Sequence, residues 1–281
     1  MAERTIEANG VELCTEPFGD TAHPPILLIM GIGSSMLWWE EDFCRMLAGG
    51  GRYVIRYDHR DTGRSVTYEP GRPEYTGADL TADAAGVLDG FGISAAHLVG
   101  VSAGGGIAQE VALDSADRVL SLTLISTSPA TGGDRDLPPP TPEFSRFVAT
   151  AEADWSNPDS VIDYLVGYSR ILAGGKRAFD EVQVRELVRR DVERARDFAA
   201  VQNHDLMSHG EGSPKAPVVD HCPDARHPRH RRPDVPAQAR RGSSRGHPRC
   251  QATAPRRCGP WGRSSRLGAR RPRDRRTHHR A

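Results

Sequence analysis

The stretch Ala96–Leu113, AHLVGVSAGGGIAQEVAL, constrains the fold more than any other part of the chain. A short apolar run, Ala96–Val101, meets a serine with glycines two residues to either side, and helical spacing starts at Gly104. A strand that turns so abruptly into a helix ends at the rim of a sheet. Repeated strand–helix successions build parallel sheets covered on both faces. The rest of the first half repeats the alternation. Val11–Glu16 and Pro25–Met30 read as strands, and Trp38–Leu47 as a helix closed by Gly49–Gly51. Tyr53–Tyr57 is a further strand, Ala78–Phe91 a helix stopped by Gly92, Gly104–Leu113 a helix and Val119–Ser126 a strand. The expected class is α/β, with a mostly parallel sheet and helices on both faces.

Beyond Thr127 the pattern changes twice. Residues 127–142 are rich in Pro, Gly, Asp and Thr and read as a connection. Three helical stretches follow, Glu143–Ala153, Ser160–Leu172 and Arg177–Gln202, with no strand legible before His204. An all-helical block inserted after a sheet is expected to lie over it as a lid. From residue 213 onward there is one Leu (Leu267) and no Ile, Phe, Tyr or Met. Such a segment buries too little apolar area to offset the entropy of ordering it, so disorder is expected there. The organisation is therefore 1–127 for the sheet core, 128–212 for the helical lid and 213–281 for an Arg/Pro-rich tail.

The net charge of zero conceals this division. Residues 213–281 hold 19 of the 37 basic side chains and 4 of the 37 acidic ones, a formal +15 against −15 for residues 1–212. A segment of +15 attracts nucleic acid non-specifically. It shows no aromatic interleaving and no recognisable module, with Trp261 its single aromatic residue. No apolar run is long enough to span a membrane, and MAERTIEANG lacks the basic start and apolar core of a secretory signal, so a cytoplasmic location is expected. The five cysteines, Cys14, Cys44, Cys222, Cys250 and Cys258, follow no metal spacing and read as free thiols. No metal and no cofactor is expected, and the oligomeric state is not legible.

Gly100-Val101-Ser102-Ala103-Gly104 fits G-x-S-x-G, the spacing of a nucleophile elbow. The chemistry needs a serine on a sharp strand-to-helix turn, where its hydroxyl is lifted to the carboxyl end of the sheet. Glycines two before and two after leave room for neighbouring backbone. The N–H of Ala103, at the start of the helix, is then placed to donate to a developing oxyanion. The second donor is expected from the loop after the first buried strand, Met30-Gly31-Ile32-Gly33, with Ile32 supplying the N–H. Gly104–Gly106 read as close helix-to-sheet packing; no Lys-Ser/Thr follows them as a phosphate loop would require.

These residues resemble the α/β-hydrolase superfamily. Asp58-His59-Arg60-Asp61-Thr62-Gly63-Arg64-Ser65 is similar to its D-x-R-G-x-G-x-S loop, with Asp61 where glycine is commoner. RYDHRDTGRS, with LLIMG before it and LVGVSAGG after, resembles the aclacinomycin methylesterase group over residues 3–205. The resemblance implies hydrolysis of a carboxylic methyl ester on an aromatic polyketide. It also implies that Asp58 and Arg60 tie their loop to the elbow side by charge-assisted hydrogen bonds; the competing reading makes Asp58 or His59 catalytic.

A serine of this kind needs a histidine to take its proton and a carboxylate to orient that histidine, in the order Ser, acid, His. Neither an apolar strand ending in G-x-x-D nor a G-x-G-H turn follows Ser102, so the triad Asp and His are not identifiable. His204 and His209 stand at the end of the lid, and His227 and His230 among prolines and arginines. Read one base later, the codons of Asp224–Pro236 permit Thr-Leu-Val-Ile-His-Gly-Thr-Ala-Asp-Pro-Met-Phe-Pro, an apolar strand ending in G-x-x-D. In the same register Cys258–Gly262 permits Ala-Gly-His-Gly, about 28 residues on. The tail is therefore expected to be translated out of register, beginning near Glu211–Lys215. The expected function is a serine hydrolase of carboxylic esters acting through an acyl-enzyme at Ser102, on a small-molecule ester, inactive or impaired in the chain as it stands. Two alternatives stay open: a cofactor-free haloperoxidase or perhydrolase of the same fold, and a non-catalytic protein that binds nucleic acid through its tail.

Overall fold

The computed structural model describes residues 2–130, 137–176 and 178–207. The tail 213–281, with the disorder and shifted register expected of it, lies outside the described residues, as do His209, His227, Cys222, Cys250 and Cys258.

Among the described residues six strands form one sheet in the order β1-β2-β4-β3-β5-β6. β1 (Arg4–Ala8) and β2 (Val11–Phe18) make an antiparallel hairpin, and β2 runs antiparallel to β4 (Tyr53–Tyr57). The remaining pairings, β3 (Pro25–Ile29) with β4 and with β5 (Ala96–Val101), and β5 with β6 (Val119–Ile125), are parallel. The sheet is mostly parallel, as expected. The strand β1 is the element the periodicity does not reveal. Its signal is the Asn9-Gly10 pair, whose φ values of 49° and 74° are those of a two-residue hairpin turn.

The apolar run of β3 serves both faces. Leu27 and Ile29 join a core with Leu80, Val87 and Leu88 of α2 (Gly77–Gly90) and Ile107, Ala108 and Val111 of α3 (Ala103–Asp114). Ile26 and Leu28, on the alternate face, pack with Trp39, Val54 and Cys44 of α1 (Glu41–Gly49). Helices thus cover both faces. α1 starts three residues later than the sequence suggests, because Met36–Trp38 closes first as a separate 3₁₀ turn capped by the Ser35 hydroxyl. Cys14 and Cys44 are free and buried, and burial pushes their thiols up to about 12 and about 11.

The helical segment comprises α4 (Pro142–Thr150), α5 (Pro158–Ala173) and α6 (Glu181–Arg194). The expected single helix to Gln202 is broken. Helical geometry ends at Ala195, and the N–H of Arg196 leaves to donate to the Gly63 carbonyl at 2.9 Å. Asp197 then caps a 3₁₀ turn, Phe198–Gln202, that leads into the short α7 (Asn203–Leu206). Among the described residues β6 is an edge strand, and Leu120, Leu124 and Ile125 on it are exposed. No helix of the described residues is long and apolar enough to cross a membrane.

Candidate active site

Ser102 is the single residue between β5 and α3, at φ 54° and ψ −125°. A non-glycine residue held there stores on the order of 1–3 kcal/mol of backbone strain. Its N–H donates to the Ile125 carbonyl and its own carbonyl accepts from Gly105 N–H, both at 2.9 Å, so the turn is pinned from β6 and from α3. The two flanking glycines are steric requirements. A Cβ on Gly100 would lie 2.3 Å from the Gly104 carbonyl oxygen, and one on Gly104 would lie 2.4 Å from the carbonyl oxygens of Ile29 and Met30. A Cβ on Gly105 would meet Thr127, whereas Gly106 faces open space, so close packing accounts for two of the three successive glycines.

The Met30–Gly33 loop lies against this elbow: a Cβ on Gly31 would come within 3.2 Å of the Ser102 Cβ. Ser102 and Ile32 are exposed there, and Ala103 heads α3. The three residues singled out in the sequence stand on two adjoining elements, with Ser102 and Ala103 at the elbow and Ile32 on the loop beside it.

The Asp58–Ser65 loop is buried except at Arg64, and is differently tied than the resemblance implies. Asp58 accepts from the N–H groups of Met36 (2.9 Å) and Arg64 (3.0 Å) and pairs with Arg194 of α6 at 2.8 Å. Burial raises its pKa, against the pull of Arg194. Arg60 makes a two-pronged pair with Asp83 of α2, both bonds at 2.8 Å. The loop is thus anchored to α2, to α6 and to the turn after the Gly31 loop, and not to the elbow. Asp61 stands at φ 61°, the left-handed conformation that explains the commoner glycine. Its carboxylate compensates by accepting from Tyr68 N–H (2.6 Å), Tyr75 OH (2.7 Å) and Asn203 Nδ2 (2.9 Å).

Two buried histidines flank the Gly31 loop. His59 Nε2–H donates to the Met30 carbonyl at 2.8 Å; burial lowers its pKa. His204 accepts from Gly33 N–H at Nδ1 and donates from Nε2 to the Arg60 carbonyl, both at 2.8 Å. Burial, with His59 nearby, lowers its pKa to about 4. Both ring nitrogens of His204 are committed to backbone, so it is not free to take a proton from a serine. Among the described residues no histidine or carboxylate hydrogen-bonds to the Ser102 hydroxyl, and no three His, Cys, Asp or Glu side chains converge as a metal site requires. A surface cleft of about 700 Å³ lies between the start of α1 and α6; Leu37, Glu40, Arg56, Glu186 and Leu187 line it, and Ser102 does not. Elsewhere in the helical segment Phe147, Trp155, Tyr164 and Tyr168 form one aromatic cluster, with the two tyrosines stacked at 6.4 Å.

Residues 24–156 match the α/β hydrolase fold family. The chain is 35% identical over 207 residues to rhodomycin D methylesterase DnrP of Streptomyces peucetius, covering 67% of this chain and 68% of that protein. It is 45% identical over 125 residues to rhodomycin D methylesterase DauP of Streptomyces sp. (strain C5), covering 44% of this chain and 42% of that one. Among solved structures, a carboxylesterase of the thaumarchaeon Nitrososphaera gargenis superposes with a TM-score of 0.54 at 21% identity, over 73% of this chain and 71% of its own.

Proposed function

The chain belongs to the α/β-hydrolase fold family, and from that premise we propose that it is built as a serine hydrolase of carboxylic esters, with Ser102 as nucleophile. The observation that carries the reading is the elbow: a strained serine at φ 54°, between two glycines that admit no Cβ, beside the Gly31 loop. Ser102 Oγ attacks the acyl carbon while its proton passes to a base. The tetrahedral oxyanion is held by the N–H groups of Ala103 and Ile32, and the alcohol leaves with a proton as the acyl-enzyme forms. Water then adds to the acyl carbon and returns Ser102 with release of the acid. The helical segment 128–212 is the lid that selects the acyl group. The rhodomycin D methylesterases among the relatives support, as substrate, the carboxylic methyl ester of an aromatic polyketide that the resemblance implies. The aromatic cluster of Phe147, Trp155, Tyr164 and Tyr168 gives such a substrate flat partners.

The same proposal holds that this chain lacks its base and acid. The described histidines that are buried, His59 and His204, are bound to backbone carbonyls, and codons read one base later after Glu211–Lys215 permit both missing motifs. The test expresses the chain as it stands beside one whose coding register is moved by one base at that junction, each with and without Ser102→Ala. The readouts are methyl-ester turnover and Ser102 labelling by a fluorophosphonate. The register-restored protein is expected to turn over and to be labelled at Ser102, the chain as it stands to be slower by on the order of 10⁶. Equal turnover by the two chains refutes the register shift, and turnover that survives Ser102→Ala in the restored chain refutes the nucleophile.

A further inference from the structure

Three donors of the segment that follows β3 reach the far end of the helical block. Gly33 N–H goes to His204 Nδ1 at 2.8 Å, Ser35 N–H to Asp191 Oδ2 at 3.5 Å, and Trp38 Nε1–H to the same oxygen at 2.8 Å. At the near end, the Met30 carbonyl takes the His59 Nε2–H at 2.8 Å. Only Gly31 and Ile32 lie between these two histidine contacts. A two-residue span held at both ends has little freedom to rotate a peptide group, and the span carries the N–H assigned above to the oxyanion.

The His204 ring is itself held. Because Nδ1 accepts from Gly33, the ring proton sits on Nε2, which donates to the Arg60 carbonyl at 2.8 Å. Arg60 is fixed in turn by Asp83. The rings of His59 and Tyr75 stand edge-on to His204, each with its centroid 6.3 Å away, and the Asp61 carboxylate is taken by Tyr75, Asn203 and Tyr68 N–H. The ring is 4% exposed and stays neutral until about pH 4, so its Nδ1 lone pair is available to Gly33 at any ordinary pH. Gly33 is at φ 77°, a conformation glycine leaves at low cost once its N–H is released.

We propose that His204 is a positioning residue for the oxyanion loop, fixing Gly33 N–H through Nδ1 and thereby aiming the Ile32 N–H beside Ser102. The inference rests on the assignment of Ser102 and Ile32 above, but its central contact is measurable without turnover.

Three variants of the full chain separate the contact from bulk. His204→Asn keeps an acceptor near the Nδ1 position, His204→Gln carries its acceptor out to the Nε2 position, and His204→Phe removes both. Amide exchange at Gly33 and Ile32, read by NMR, is expected to stay within a few-fold of wild type in His204→Asn. In His204→Gln and His204→Phe it should quicken on the order of 10- to 100-fold, the loss of one buried hydrogen bond. The ¹⁵N spectrum of wild type should show a neutral His204 carrying its proton on Nε2 at pH 5.5. The contrast between His204→Asn and His204→Gln decides the matter if His204→Phe unfolds, since both retain a polar side chain. Equal Gly33 exchange in those two, or a proton on Nδ1 in wild type, overturns the proposal. Fluorophosphonate labelling in the register-restored protein adds the functional arm: a rate that falls in His204→Gln and recovers in His204→Asn supports it, and equal rates overturn it. Absence of labelling at Ser102 in every variant would instead refute the nucleophile, with Gly33 exchange still reporting on the contact.

Discussion

Replacing Asp61 by glycine sets two effects of the same residue against each other. Asp61 is held at φ 61°, where an L side chain costs on the order of 1 kcal/mol that glycine would not incur. Its carboxylate, 1% exposed, accepts from Tyr68 N–H, Tyr75 OH and Asn203 Nδ2 at 2.6–2.9 Å. Tyr75 and Asn203 are themselves buried, so Asp61→Gly leaves donors without acceptors in the interior. Hydrogen bonds to a charged group are each worth roughly 1.5–3 kcal/mol, part of which is returned because the carboxylate no longer has to be desolvated. Even if only about 4 kcal/mol of the three survives that correction, the net after strain relief is a loss of about 3 kcal/mol. For a folded region of about 200 residues this lowers Tm by roughly 6–12 °C. Asp61→Asn tolerates the backbone conformation but puts an NH₂ where one acceptor oxygen stood, facing Tyr68 N–H on one side or Tyr75 and Asn203 on the other. It should fall between wild type and Asp61→Gly. Thermal and urea unfolding of the three proteins, read by circular dichroism, make the comparison. An Asp61→Gly protein as stable as wild type would show that backbone strain, and not the hydrogen-bond network, governs this position, and the reasoning would fail.

Ser102→Gly should be more stable than Ser102→Ala by about 1–2 kcal/mol, because only glycine relaxes the strain at φ 54°; equal Tm values would mean that the elbow stores none. The neutral folded form of His204, with its pKa lowered to about 4 against about 6.5 unfolded, implies that stability is lost as pH falls through that window, by up to about 3 kcal/mol. The unfolded chain takes the proton first, so a His204→Asn protein should show a shallower decline between pH 6.5 and 4 in urea titrations, and an unchanged slope would contradict the shift. The exposed Leu120, Leu124 and Ile125 on the β6 edge should promote self-association. Leu120→Lys is expected to lower the aggregation rate in light scattering while moving Tm by only a few degrees; no change in association would remove the edge as its cause.

Much of the sheet was legible because its strands are buried on both faces and its helices on one, which leaves runs and periodicities that local physics reads directly. β5 and β4 carry their expected bounds, and α2 and α3 fall within a residue of theirs. The hairpin β1 escaped because a partly exposed edge strand has no apolar run, though its Asn9-Gly10 turn was present to be read. The overlong last helix had a different origin. Its apolar spacing continues past Ala195, and only the Gly63 carbonyl, more than a hundred residues away in sequence, draws the Arg196 N–H out of the helix. The glycines of the elbow were legible as a motif, but the oxygens their Cβ atoms would strike belong to β3, the Gly31 loop and the start of α3.

What the sequence determined alone is what depends on neighbours along the chain: the α/β alternation, the strand–serine–helix turn, and the lack of an apolar strand ending in G-x-x-D and of a G-x-G-H turn after Ser102. What only the tertiary structure decided is where long polar side chains spend their hydrogen bonds. Asp58 and Arg60 went to α6 and α2 and not to the elbow. His204, from the end of the helical segment, came to rest on Gly33, 171 residues earlier in the chain. Such pairings follow from burial, because a polar group removed from water must find a partner within reach, and the fold, not the local sequence, sets which groups are within reach.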